Sequence, residues 1–188
     1  RTDRAVHVRA AARHKSHLFV SDAAASYNLM QIMGSGSTVK SIALTGGSTG
    51  SAAYEPVCLL LGTSGYTVGG VGVPGVVSDM LAEDILVLDG DSGVMASMCT
   101  SAYQPGAATP DVPNGVSLDW ADIYPIQRAK ILNCTIRARK NAIAFYGAKD
   151  CEEYGNDVTI IDHQIDYFSS GLRALGVDNL YSHNSRFA

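Results

Sequence analysis

Two turns rich in glycine and hydroxyl groups are the residues best suited to chemistry in this sequence. Thr45-Gly46-Gly47-Ser48-Thr49-Gly50-Ser51 follows the apolar run Val39 to Leu44, and Asp89-Gly90-Asp91-Ser92-Gly93 follows Asp84-Ile85-Leu86-Val87-Leu88. Glycines let backbone N–H groups approach a ligand and hydroxyls donate to it. A strand that ends in such a turn and leads into a helix therefore suits an anion. Gly47, Ser48, Thr49 and Ser51 of the first turn, with Ser92 and Gly93 of the second, are the candidate phosphate-binding residues. Neither turn has the GxxxxGK[ST] spacing of a nucleotide loop or contains a lysine, which sets ATP hydrolysis aside.

Proton transfer needs a His or Glu tuned near neutral pH. His163 stands next to Asp162 and three residues before Asp166, so a carboxylate could orient it, and it is the candidate catalytic base. Glu152 and Glu153, in a polar turn, and His183, near the C-terminal end, are the other candidates. The only short-spaced metal-ligand group is His14-Lys15-Ser16-His17, and the cysteines at 58, 99, 134 and 151 form no CxxC pair. They read as reduced core thiols, and neither a metal nor a cofactor is expected. Asn133-Cys134-Thr135 fits a glycosylation pattern but falls inside a predicted helix of a chain without a secretory signal.

The elements that must position these residues read as an α/β domain. Residues 22–33 begin with good cap types and end at Gly34-Ser35-Gly36, which predicts a short helix. Val39 to Leu44 predicts a buried strand, Ala52 to Leu61 a helix, Tyr66 to Val73 a strand, Asp84 to Leu88 a strand and 94–103 a helix. After a proline-rich loop at 104–118, Ile131, Cys134, Ala138, Ala142 and Phe145 recur at three- and four-residue steps, which predicts a long helix from about Asp122 to Tyr146. Ile161, Ile165, Phe168, Leu172 and Leu175 predict a last helix between Asp157 and Gly176. The expected architecture is three-layered: a parallel sheet with crossover helices and long C-terminal helices. It divides into a basic N-terminal arm, 1–21, and a single α/β domain, 22–188.

The run Ser41-Ile42-Ala43-Leu44, the first turn, Ala52 to Leu61, Gly65-Tyr66-Thr67-Val68, Asp84-Ile85-Leu86-Val87 and Ser92-Gly93 resembles the sugar isomerase (SIS) domain family, in particular the hexulose-6-phosphate isomerase type. The resemblance covers roughly residues 22–103. It implies that the two turns hold a sugar phosphate and that the reaction is an aldose–ketose isomerisation.

Charge distribution suggests a different class. The chain of 188 residues carries a net charge of −4, and only 17% of it is charged. Residues 1–17 hold Arg1, Arg4, Arg9, Arg13 and Lys15 against Asp3 alone. Between residues 41 and 127 there are nine carboxylates and no Lys, Arg or His. They would repel a phosphate dianion unless the basic cluster Arg128 to Lys140, on a predicted helix, or another subunit reaches in. Segregated charge with a mean hydropathy of +0.07 suits a self-assembling structural subunit, a homo-oligomer whose basic arm alone could meet nucleic acid. The absence of a long apolar run or signal-peptide core predicts no membrane association and a cytoplasmic location.

Overall fold

The computed structural model describes residues 4–20, 28–32, 34–47, 56–62, 77–97, 126–161 and 170–188, and among them every strand pairing is parallel. His7 pairs with Thr38, Thr38 with Leu81, Leu81 with Lys130, Lys130 with Glu152 and Glu152 with Tyr181. Successive stretches of chain thus lie one above the next in a single column. The fold is a parallel β-solenoid, in which each coil contacts only its neighbours.

Each coil has three faces. The first holds β1 (His7–Arg9), β4 (Thr38–Lys40), β8 (Leu81–Glu83), β12 (Lys130–Leu132) and the C-terminal halves of β14 (Asn141–Tyr154) and β16 (Ser170–His183). The second is a six-stranded sheet of β2 (His17–Phe19), β5 (Ala43–Thr45), β9 (Leu86–Asp89), β13 (Thr135–Ala138), β15 (Asp157–Ile160) and β17 (Arg186–Phe187). The third holds β3 (Met30–Ile32), β6 (Val57–Gly62), β10 (Ser92–Ser97) and the N-terminal halves of β14 and β16. β7 (Val77–Ser78) and β11 (Ile126–Gln127) pair in line with Ala148 and Lys149, where β14 runs on from the third face to the first.

The corner between the first and second faces is a column of left-handed backbone: Ser41, Asp84, Asn133, Gly155 and Asn184, all with φ between 53° and 65°. A second column, at the start of the first face, runs through Gly36, Asp79, Arg128, Asp150 and Asn179. Asn, Asp and Gly dominate because they tolerate positive φ best, so the sequence places a corner wherever one of them follows a short apolar strand. Inside, side chains stack in register. Leu44, Val87, Ile136 and Val158 form one sealed column, and Ile42, Ile85 and Cys134 form another. Cys58, Cys134 and Cys151 are buried free thiols.

The α/β three-layer expectation is overturned, because no helix occurs among the described residues. The segment expected as a helix over 22–33 supplies β3, Ala52 to Leu61 supplies most of β6, and 94–103 overlaps β10. The long helix expected over 122–146 is instead β11, β12, β13 and the start of β14. The physical reason is the corner. A strand buries every second residue, but an inserted left-handed residue resets the alternation, so Ile131 and Cys134, on either side of Asn133, are three apart and both face inward. Three-residue steps across corners and two-residue steps along strands together imitate a helical stripe. In the expected last helix, Leu172 and Leu175 lie in β16, while Ile165 and Phe168 lie outside the described residues. The strand expected over 66–73 and the loop over 104–118 also lie outside them. Residues of the expected N-terminal arm form β1 and β2, and Arg13 Nη2 meets Asp84 Oδ1 at 2.7 Å.

Candidate functional site

The solenoid brings the two glycine turns together at the corner between the second and third faces. Gly46 N–H donates to Asp89 O at 2.9 Å, Asp91 N–H to Gly47 O at 3.2 Å and Ser92 N–H to Pro56 O at 3.1 Å. Gly90 N–H donates to Asp89 Oδ1 at 2.7 Å. The basic cluster does reach in: Arg139 and Lys140 N–H groups donate to Gly90 O and Asp91 O at 3.0 and 2.8 Å. Their side chains meet Asp89 and Asp91, each pair at 2.8 Å. The amides of Gly46, Asp91 and Ser92 are therefore donating to neighbouring chain, and the side chains of Arg139 and Lys140 face carboxylates of the turn itself. The Lys140–Asp91 pair is nearly solvent-free, with side chains 10% and 1% exposed.

The glycines here have a packing reason. A Cβ on Gly46 or Gly90 would stand 2.6 or 2.5 Å from Cys58 Sγ, and one on Gly93 would stand 2.4 Å from Ala142 O. Burial pushes the Cys58 thiol up to about 12, which leaves it protonated and unreactive at neutral pH. Gly47, Ser92 and Gly93 are buried within this corner, whereas Ser48, Thr49, Ser51 and the candidate base His163 lie outside the described residues. The structure thus brings Gly47, Ser92 and Gly93 to one corner, where the Ser92 amide already donates to Pro56 O.

The other candidate bases separate sharply. Glu152 and Glu153 are adjacent in β14, so they point to opposite sides of the sheet. Glu153 is fully buried and accepts from Asn156 Nδ2 at 2.7 Å and from the hydroxyls of Ser182 and Ser185. Asn156 in turn accepts from Cys134 N–H at 2.9 Å and donates to Ile131 O at 3.0 Å. This is an internal network that ties the last two coils to each other and to the coil of Ile131 and Cys134. Glu152 faces outward between Lys130 Nζ at 2.8 Å and His183 Nε2 at 3.5 Å. The Lys130 ammonium, bonded to it, holds the Glu152 carboxyl below the usual carboxylate range, and His183 adds to this against the opposing effect of burial. Glu152 and His183 are far apart in the sequence and meet diagonally, because Glu152 pairs with Tyr181 and Tyr154 with His183, which only the coil stacking reveals.

A third feature lies at the ends of the solenoid. The sealed column Leu44, Val87, Ile136, Val158 continues to Leu18 at one end and Phe187 at the other, which are 40% and 43% exposed. At the C-terminal end β16, 14 residues long, pairs with β14 on one side, and among the described residues nothing pairs with its other edge. Nothing in the sequence points to these ends, because the intervals between paired positions 7, 38, 81, 130, 152 and 181 vary from 22 to 49 residues.

Among the described residues no group of three or more His, Cys, Asp or Glu could hold a metal ion, and no helix is long and apolar enough to cross a membrane. No protein-family model, curated protein or solved structure matches the chain.

Proposed function

We propose that this chain is a structural solenoid segment that stacks end to end with further copies of itself. The observation that carries this reading is the interior column that is sealed through four coils and opens at both ends on Leu18 and Phe187. Unpaired strand edges beside exposed apolar side chains are templates for pairing, and a coil exposed in this way is stabilised by another coil laid on it. A second copy offers a matching one. The match holds on two of the three faces: with β1 of one copy laid on the C-terminal half of β16 and β2 on β17 of the next, Leu18 of one copy would continue the column above Phe187 of the other.

The two ends carry charge of the same sign. Residues 4–20 contain Arg4, Arg9, Arg13 and Lys15 with no Asp or Glu, and residues 170–188 contain Arg173 and Arg186 against Asp178. Screening this repulsion favours stacking, so association strengthens with added salt. Sedimentation velocity over a concentration series tests the reading. The expected result is reversible higher species that grow with salt and disappear in Leu18→Asp, with the circular dichroism of the monomer unchanged. A wild-type chain that stays monomeric at every concentration and salt level would overturn it.

A further inference from the structure

The outward side of the first face carries a cluster that neither the interior packing nor the open ends use. Two rows run across neighbouring coils there: Lys130, Glu152 and Tyr181 in one, and Leu132, Tyr154 and His183 in the other. Within the rows, strands lie about 4.8 Å apart, so the six side chains share one flat patch. The Tyr154 and His183 rings sit 4.7 Å apart, tilted by 54°, and Tyr181 is 61% exposed. Lys130 Nζ bonds Glu152 Oε2 at 2.8 Å, and Glu152 Oε1 lies 3.5 Å from His183 Nε2.

The chemistry of this patch narrows its ligand. An ammonium and a carboxylate cancel, so the patch has no excess of positive charge to hold a polyanion, and the carboxylate at its centre repels one. An apolar partner would have to strip water from the ion pair, two phenols and an imidazole without replacing their hydrogen bonds. A polyhydroxylated ring satisfies both parts: its hydroxyls donate to the carboxylate and accept from the ammonium and phenols, and its C–H face stacks on an electron-rich tyrosine ring. The rise of one coil is also comparable to the length of one pyranose unit, so a linear chain laid along the solenoid axis follows a row and meets a new strand at each sugar.

We propose that the outward patch of Lys130, Leu132, Glu152, Tyr154, Tyr181 and His183 is a binding site for neutral oligosaccharides. End-to-end stacking leaves this face open, so the proposal stands independently of the assembly reading.

The test is a titration of the full chain with malto-, cello- and chito-oligosaccharides, followed by chemical-shift changes, with heparin as a polyanionic control. At least one neutral series gives a saturating shift. Tyr181→Ala weakens it by about tenfold, as the loss of one aromatic stacking contact does. Glu152→Gln also weakens it, and both variants keep the wild-type melting temperature. Tyr181→Ser replaces Tyr181→Ala should the latter fail to fold. The proposal is overturned if no neutral series saturates, if binding survives the Tyr181 substitution, or if heparin displaces the bound oligosaccharide.

Discussion

The middle coils and the last two coils fill the same interior positions with opposite chemistry. One inward column reads Val39, Ala82, Ile131 through the middle and then Glu153 and Ser182. Its neighbour reads Ile42, Ile85, Cys134 and then Asn156 and Ser185. The middle is held by burial of aliphatic surface, which is non-directional and tolerates small shifts. The C-terminal coils are held by a buried carboxylate and its donors, which stabilises only while every partner is in place. This contrast shows that the solenoid backbone accepts either filling where the buried polar atoms find partners, as those of Glu153 do. It also identifies the last coil as the one whose opening leaves most of the aliphatic core intact.

Substitutions that empty the middle should cost most. Ile131→Ala removes a fully buried side chain between Ala82 and Glu153, and a loss of about 2–5 kcal/mol in unfolding free energy is expected by chemical denaturation. An unchanged denaturation midpoint would mean that the interior is loosely packed and that the contrast between the two regions is false.

A smaller and more local effect is expected at the polar end. Ser182→Ala takes one hydrogen bond from the buried Glu153 side chain while Asn156 and Ser185 remain, so about 1–3 kcal/mol is lost. Hydrogen exchange would place the loss. Amides of 170–188 should exchange faster, while those of 130–138 keep their protection. Uniform loss along the chain would show that the last coil does not open separately.

The smallest effect belongs to the exposed corner column, where Arg128 holds Asp79 at 2.7 Å. The hydrogen bond from Arg128, with one from Ser78, lowers the Asp79 carboxyl to about 2, below the roughly 3.9 of an unfolded chain. A group depressed in the folded state stabilises above its unfolded value and loses that contribution as pH falls through the folded one. Thermal melts should therefore show the contribution intact above about pH 4 and declining towards pH 2. Arg128→Ala flattens that part of the profile and shifts the melting temperature at pH 7 less than Ser182→Ala does. An equally steep acid profile in Arg128→Ala would detach the titration from this pair.

How legible the site was depended on the scale of each signal. Glycine turns at 45–51 and 89–93 stand out in the sequence, and the structure puts Gly46, Gly47, Gly90 and Ser92 side by side. Their purpose was not legible, since the clash that demands glycine comes from Cys58, and the charges that fill the corner come from Arg139 and Lys140 on the next coil. The candidates Glu152 and His183 were visible singly, but their meeting depends on the stacking of β14 and β16. Glu153 looked equivalent to Glu152, and only the alternation of β14 separates an interior carboxylate from a surface one.

By itself the sequence determined the local facts: positions tolerant of left-handed backbone, apolar residues that must be buried, thiols without partners, and charges grouped by segment. Those follow from side-chain chemistry within a few residues. Whether the apolar residues became helical stripes or solenoid columns was decided only in three dimensions. A corner residue shifts strand alternation to three-residue steps, and coils of unequal length hide the repeat. The stacking that seals Ile136 and exposes Phe187 comes from contacts between coils that no local window contains.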